Sequence, residues 1–388
     1  MNNKVRISAS VSCETVDLKE FEIYFEFDNK YEKYLTNRLD PFLVASIIPS
    51  MGIPEDIRIE GGIDKVLTAN LTKMMSIISN WEVSDSWHKK VVDVKISATE
   101  LLDNTKEKKE KTAMFFTAGV DSFYTLEKLR DAEEAPDYLI TIFGYDIALD
   151  NIEMQRRLSK TLKQVSDSTN IEVIRINSNY REFLDKFPPN SANQWEMCHG
   201  SGLTSAALCL DGLYQKVYIN SSDAYLARSA YGTHPDIDKL WSTSLLSFVS
   251  FGDKNRIEKI DYIKNKELPR EHLRVCWRNH DNKYNCGRCE KCIRTMLQLK
   301  IYGVLRNFIT FENEIDAREI QHIDLAPKHR VYIWEYFYRK LGSDNKQEIL
   351  ALKDFLIRSY QHIINENSFR YKLYYYFRMI SLRLGILI

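Results

Sequence analysis

The chain reads as an α/β protein: a parallel-sheet domain carrying a four-cysteine zinc motif, preceded by an α+β domain and followed by a helical C-terminal region. Three observations predict this. Between residues 112 and 303, short apolar runs alternate with helical stretches, as in strands joined by crossover helices. Within that region a turn of mostly small residues, Thr117-Ala118-Gly119-Val120-Asp121-Ser122, joins an apolar strand to a helix. Four of the seven cysteines then fall between Cys276 and Cys292.

The expected domains are 1–105, 112–303 and 304–388, and a length of 388 residues suits two or three of them. In the first, Val5–Val11 and Phe21–Phe27 have strand character. The second alternates Phe21, Ile23, Phe25 and Phe27 with Glu22, Tyr24 and Glu26. Apolar Val66, Leu67, Leu71, Met74, Met75, Ile77 and Ile78 predict an amphipathic helix over Val66–Trp81. Val91–Ile96 reads as a further strand, and Asp103–Lys111 as a charged, solvated connector. After it come strands Ala113–Thr117, Tyr138–Phe143, Ile171–Ile176 and Lys216–Asn220. Helices are expected from Ser122, near Asn151–Ser168 and over Gly202–Leu213, and from Glu314 the chain reads as largely helical.

Composition narrows the function. The chain has 54 basic and 54 acidic side chains, which argues against a general polyanion binder, so nucleic acid is not an expected partner. Apolar content of 44% with 12% aromatics fits a folded protein. Met1–Val11 lacks the apolar stretch of a secretion signal, and no apolar run reaches the roughly 18 residues of a membrane span. With the cysteines in a metal pattern, the expected location is the cytoplasm. Cys13, Cys198 and Cys209 are expected to be buried thiols.

Cys276, Cys286, Cys289 and Cys292 are separated by nine, two and two residues. Two residues between cysteines let a tight knuckle aim both sulfurs at one point, and Gly287 can take the positive φ of a sharp turn. A tetrahedral Zn2+ site closed by four thiolates is the expectation. It leaves no open position for substrate, so this metal should brace the domain. A redox Cys-x-x-Cys and a disulfide framework are the alternatives.

The turn after Ala113–Phe116 has the makings of an anion site: backbone N–H groups at a helix N-terminus, with Gly119 allowing close approach. Thr117 and Ser122 offer hydroxyls, and Asp121 can orient Mg2+ or the loop itself. No Gly-Lys-Ser/Thr is present, so this is not a Walker loop. The plain reading is a strand-turn-helix capped by Asp121 or Ser122.

The turn resembles the Ser-Gly-Gly-x-Asp-Ser loop of the PP-loop ATP pyrophosphatase superfamily (adenine nucleotide alpha hydrolase-like fold), with Thr117 in place of the first Ser and Ala118 in place of the first Gly. Loop and cysteines in this order resemble 7-cyano-7-deazaguanine synthase, of the queuosine pathway. Arg256-Ile257-Glu258-Lys259-Ile260 resembles that family's Lys-bearing helix start, and Leu273–Trp277 and Asn285–Arg294 resemble its zinc segments. The likeness covers residues 112–303. It implies binding of ATP by Thr117, Ala118, Gly119, Val120, Asp121 and Ser122. Cations should converge on the leaving phosphates, Lys259 first and then Arg256 and Arg228.

Trp195–Gly202 stands where the family has a Gly-Arg-Asn helix start lining the site, making His199 and Ser201 candidate substrate contacts. His199 or His234 is a candidate base for an attacking amine. Asp223, after the Lys216–Asn220 strand, is well placed for a ligand beyond the strand ends. The implied activity is an AMP- and pyrophosphate-forming ligase that adenylates a carboxylate, such as a 7-carboxy-7-deazaguanine-like acid, for attack by ammonia. The surplus length favours an enlarged relative of the kind found in anti-phage defence clusters, where the nucleophile would be a protein amine.

The alternatives are a PP-loop sulfur transferase using Cys198 and a non-catalytic nucleotide-binding scaffold or sensor. A homodimer is open. The C-terminal run Phe369–Arg378 is aromatic and basic, with no acidic residue after Glu366. It reads as a helix packed on the core with arginines reaching out, or as a membrane-surface, nucleic-acid or partner-binding helix.

Overall fold

The computed structural model describes residues 3–81, 91–103, 110–188, 195–222, 231–312, 314–326, 330–366 and 369–385. The chain divides into two compact units. One holds Met1–Thr117 and Thr125–Lys254; the other holds Ala118–Tyr124 and Asn255–Ile388.

The first unit is built on a seven-stranded sheet. Its strands are β1 (Lys4–Cys13), β2 (Leu18–Asp28), β5 (Thr112–Phe115), β6 (Tyr138–Phe143), β7 (Glu172–Ser178), β8 (Lys216–Asn220) and β9 (Ser247–Phe251), in the order β1-β2-β7-β6-β5-β8-β9. A separate parallel pair joins β3 (Ile57–Asp64) and β4 (Ile96–Leu102), linked through the helix Lys65–Ser79. The five strands from β5 to β9 run parallel; β2 joins β7 antiparallel and β1 joins β2 antiparallel.

Period-two alternation sets the faces of β2: Ile23, Phe25 and Phe27 are fully buried and their neighbours are not. β6 is buried at five of its six positions, as expected of an interior parallel strand.

The sheet redraws the expected domain boundaries. Residues 1–105 do not form a domain apart, because β1 and β2 continue the sheet of β5–β9. The strand expected at Val91–Ile96 instead begins at Ile96, and the helix expected over Gly202–Leu213 spans Trp195–Leu208. Strands β3 and β9 and the helix Asp40–Gly52 were not foreseen. That helix contains Pro49 and is buried at most of its positions, so it lacks the polar face that marks an amphipathic helix.

A buried ion cluster ties distant parts of this unit together. Arg38 reaches Asp64 at 3.2 Å and Asp211 at 2.5 Å, and its Nε lies 2.9 Å from Asp40 Oδ2 but off the line of a hydrogen bond. Burial pushes the Asp40 carboxyl up to about 6, against the pull of Arg38. Asp64 also caps the helix Lys65–Ser79 by accepting from Leu67 N at 2.9 Å.

In space the parallel strands run β7-β6-β5-β8-β9. The chain therefore starts in the middle at β5, steps to one side through β6 and β7, then crosses to β8 and β9. Ligands of open α/β sheets sit beyond the carboxyl ends of the strands at such a reversal. Within the first unit, Thr117 follows the carboxyl end of β5. At the neighbouring end of β8, Asn220 Nδ2 donates to Phe115 O at 2.6 Å, while its Oδ1 is buried with no hydrogen bond among the described residues.

The second unit is helical. Its helices include Arg256–Ile263, Glu267–His272, Glu290–Ile301, Ala317–His322, Val331–Lys340, Lys346–Glu366 and Phe369–Arg383. The helical C-terminal region is thus as expected. No described helix is long and apolar enough to cross a membrane.

Candidate functional site

Two features of the second unit lie close along one hydrogen-bonded path: the turn at residues 118–122 and the four cysteines.

The turn opens the helix Val120–Asp131. Phe123 N and Ser122 Oγ both donate to Gly119 O, at 2.9 and 3.0 Å, so the Ser122 hydroxyl is engaged within the turn. The first-turn N–H groups have no partner within the helix and carry the positive end of its dipole. Ala118 is fully buried with φ of +58°. A side chain there meets the left-handed penalty of about 1–2 kcal/mol, and Ala118 O is held by Arg274 N at 2.8 Å.

Cations gather around this turn. The helix Arg256–Ile263 begins with a capping box between Asn255 and Glu258, which places Arg256 and Lys259 three residues apart on one face. Lys259 is 0% exposed, and its Nζ donates to Asp121 Oδ1 at 2.8 Å; the Asp121 side chain is 30% exposed. Lys259 Nζ also sits 5.8 Å from the Tyr124 ring centroid. Arg256 Nη2 donates to Thr295 Oγ1 at 2.9 Å. Burial, then the neighbouring Arg294, hold the Arg256 guanidinium down to about 10, opposed by Asp121 and Glu290.

Arg294 Nε lies 3.2 Å from Glu290 Oε1 without hydrogen-bond geometry. Among the described residues, the Nε atoms of Arg256, Arg274 and Arg294 are buried with no hydrogen-bond partner. Buried donors left open in this way are uncommon and call for an acceptor. The arrangement suits a multiply charged anion.

The four cysteines are buried and unoxidised, with sulfurs within 4.8 Å of one another. Cys286–Cys292 and Cys276–Cys289 sulfur pairs are each 3.9 Å apart. That spacing is far beyond a disulfide bond and close to the edge, about 3.8 Å, of a tetrahedron with 2.3 Å Zn–S bonds. The donor set fits a metal such as zinc.

Gly287 takes φ of +73°, as the knuckle requires, and Cys289 N donates to Cys286 Sγ at 3.3 Å. Cys289 occupies the N-cap position of the helix Glu290–Ile301 without a side-chain capping bond, and Cys292 lies in its first turn, where the dipole favours thiolates. Hydrogen bonding among the crowded thiols drives Cys276 and Cys286 down and Cys289 and Cys292 up. A divalent cation removes that conflict by holding all four as thiolates.

Asn285 locks the two cysteine segments together. Its Oδ1 accepts from Val275 N and Cys276 N at 2.8 and 3.3 Å, and its Nδ2 donates to Leu273 O and Thr310 O at 2.9 and 3.2 Å. The path from the cysteine cluster to the turn is therefore short: Cys276, Val275, then Arg274 on the carbonyl of Ala118. Gln298 Nε2 donates to Ile257 O at 2.8 Å and joins the helix that carries Cys292 to that of Lys259.

Asp121, Ser122, Lys259, Arg256, Ala118, Gly119 and Val120 thus share the second unit, while Thr117 closes the first unit's segment. Asp223 and Arg228 lie outside the described residues. Arg274, Arg294 and Asn285 acquire significance only in three dimensions; their one sequence signal is their place beside the cysteines.

His199 belongs to the first unit. Its Nδ1 faces Trp195 O and Glu196 O, each at 3.2 Å, so the proton sits there and Nε2 accepts from Thr233 Oγ1 at 2.9 Å. Gly200 and Gly232 allow this packing: a Cβ on Gly200 would fall 1.8 Å from Gly232 O. Burial lowers the His199 imidazole to about 4, leaving it neutral near pH 7.

His199 therefore binds its proton more weakly folded than unfolded, and the stability it supports should fall as pH drops from 6.5 towards 4. Asp40 acts in the opposite sense, because its raised value favours the folded state as pH falls through 6. Comparing wild type with His199→Gln isolates the histidine. Wild type should lose roughly 2–3 kcal/mol relative to the variant across that window, measured by urea unfolding at each pH.

His234 caps the short helix Pro235–Asp238, accepting from Asp236 N at 3.2 Å through Nδ1. Ser201 is buried and shares a hydrogen bond with Tyr180 OH at 2.9 Å.

Comparison with protein-family models, curated proteins and solved structures finds no match.

Proposed function

We propose that the protein is an ATP-dependent, AMP- and pyrophosphate-forming ligase of the PP-loop type, similar to 7-cyano-7-deazaguanine synthase. The supporting observation is the turn at 118–122, where Lys259 is fully buried against Asp121 and the buried Arg256 guanidinium, which feels the Asp121 and Arg294 charges, keeps its Nε donor open. Such a cluster of cations in a water-poor site is worth most where negative charge is released, as on a departing pyrophosphate. Mg2+ would accompany the nucleotide and neutralise phosphate charge, and Asp121, whose Oδ1 accepts from Lys259, is the carboxylate of the turn that would help to hold it.

In the proposed reaction a substrate carboxylate oxygen attacks the α-phosphorus of ATP, and the bond to the bridging oxygen between the α and β phosphates breaks. Pyrophosphate leaves, held by the helix N-terminus, Lys259 and Arg256. Ammonia or a protein amine then attacks the acyl carbon; its nitrogen loses a proton, and AMP departs with the electron pair of the broken C–O bond. The four-cysteine group would hold Zn2+ as a brace.

A sulfur-transfer reading calls for a reactive thiol. Cys198 and Cys209 are fully buried and pushed up by that burial, and Cys13 is raised to about 11 by burial and its hydrogen bond to Glu55. Such thiols are poor nucleophiles, which weighs against that reading.

Product analysis of Mg-ATP turnover, with 7-carboxy-7-deazaguanine and ammonium present or omitted, tests the proposal. AMP and pyrophosphate formed only with acid present is the expected result. ADP and phosphate would overturn it. ATP bound without turnover for any acid or protein amine would favour the nucleotide-sensing scaffold.

A further inference from the structure

The helix Phe369–Arg383 has two apolar faces, and the fold uses one of them. Tyr375, Met379 and Leu382 are buried, and Arg378 on the same side pairs with Glu335 at 2.7 Å. At about 100° per residue, Leu373, Tyr376, Phe377, Ile380 and Leu384 fall on the other side. Leu373, Tyr376, Phe377 and Leu384 are 51%, 50%, 61% and 69% exposed. Lys372 and Arg383 border this stripe. From Asn367 to Ile388 the chain carries four basic residues and no acidic one.

We propose that this face docks the protein on an anionic lipid surface. The helix spans 15 residues and is too short to cross a bilayer. An exposed apolar stripe edged by lysine and arginine is instead the pattern of a helix lying in the headgroup region. Tyrosine and phenylalanine suit that depth, with an apolar ring and, for tyrosine, a polar tip. Charge complementarity selects the lipid: Lys372 and Arg383 meet phosphate or carboxylate headgroups, and no acidic side chain in the segment opposes them. The Arg378–Glu335 pair anchors the inner face, so the helix can present its outer face without unfolding. This inference is independent of the reaction proposed above.

The test is sedimentation of the full-length protein with vesicles of phosphatidylcholine alone or with one-third phosphatidylglycerol. Two cationic side chains near the surface predict about thirtyfold stronger partitioning onto the anionic vesicles, lost in 0.5 M salt. The double variant Tyr376→Ser/Phe377→Ser should reduce it at least about tenfold with an unchanged melting midpoint, since both side chains are exposed. Equal binding to both vesicles, or none, overturns the proposal. A dimer seen by light scattering that the same substitutions dissolve, without vesicle binding, overturns it in favour of a second copy of the chain.

Discussion

Replacing Cys289 by serine, or stripping the metal with a zinc chelator at pH 7, is expected to collapse the second unit. Structural zinc contributes about 10–16 kcal/mol of apparent binding free energy in small zinc domains, more than the stability of a typical domain. Here the four sulfurs also join a loop to the start of the helix Glu290–Ile301. Without the cation, four buried thiols lie within 4.8 Å of one another with little else to satisfy them.

The purified chain should contain one zinc per molecule. Chelation should lower its melting midpoint by more than about 10 °C, on the scale that links midpoint to stability. Loss of nucleotide binding should accompany it, because the Arg274 N–H that holds the left-handed Ala118 sits two residues from Cys276. A metal-free protein with an unchanged midpoint would remove the brace from the account. Unchanged midpoint with weakened ATP binding would confine the metal to positioning the turn.

Lys259→Met is expected to suppress ATP-dependent AMP formation by about two to three orders of magnitude, the scale of removing one preorganised charge from a transition state. Methionine preserves much of the buried stem packing and deletes the charge. It also strands Asp121, at a stability cost of about 3 kcal/mol, the lower end for a broken buried pair because Asp121 remains partly exposed.

The double variant Asp121→Asn/Lys259→Met separates the two effects. With no charge stranded it should regain most of the stability while turnover stays lost, as followed by urea unfolding and by pyrophosphate release. Activity restored in the double variant would mean that the pair only supports the fold. Full activity in Lys259→Met would remove the lysine from the site.

Much of the local architecture was legible in the chain. The alternation of β2, the apolar run of β6 and the amphipathic stretch at residues 65–79 each carry a period that backbone geometry imposes. Helix Asp40–Gly52 carries no such mark, because burial on nearly all sides erases the polar stripe. The sheet's true extent was hidden for another reason. Pairing of Phe25 with Ser178 joins positions more than 150 residues apart, and neither segment announces its partner.

The same distinction runs through the candidate site. The cysteine spacing and the small-residue turn are local, since a knuckle and a helix start are short-range backbone shapes fixed by residues within a few positions of each other. Lys259 was reached through resemblance. Its fully buried seat on Asp121, the open Nε atoms of Arg256, Arg274 and Arg294, and the bond from Arg274 to Ala118 all depend on packing. His199 shows the opposite outcome: a candidate base and substrate contact in the sequence is in space a tightly hydrogen-bonded, buried imidazole, neutral near pH 7. Short-range chemistry names the cysteines that can bind a metal and the small residues that shape a helix start. Which charges meet, and which lose water, follows from long-range packing, because desolvation and Coulomb energy depend on distances in space that sequence separation does not encode.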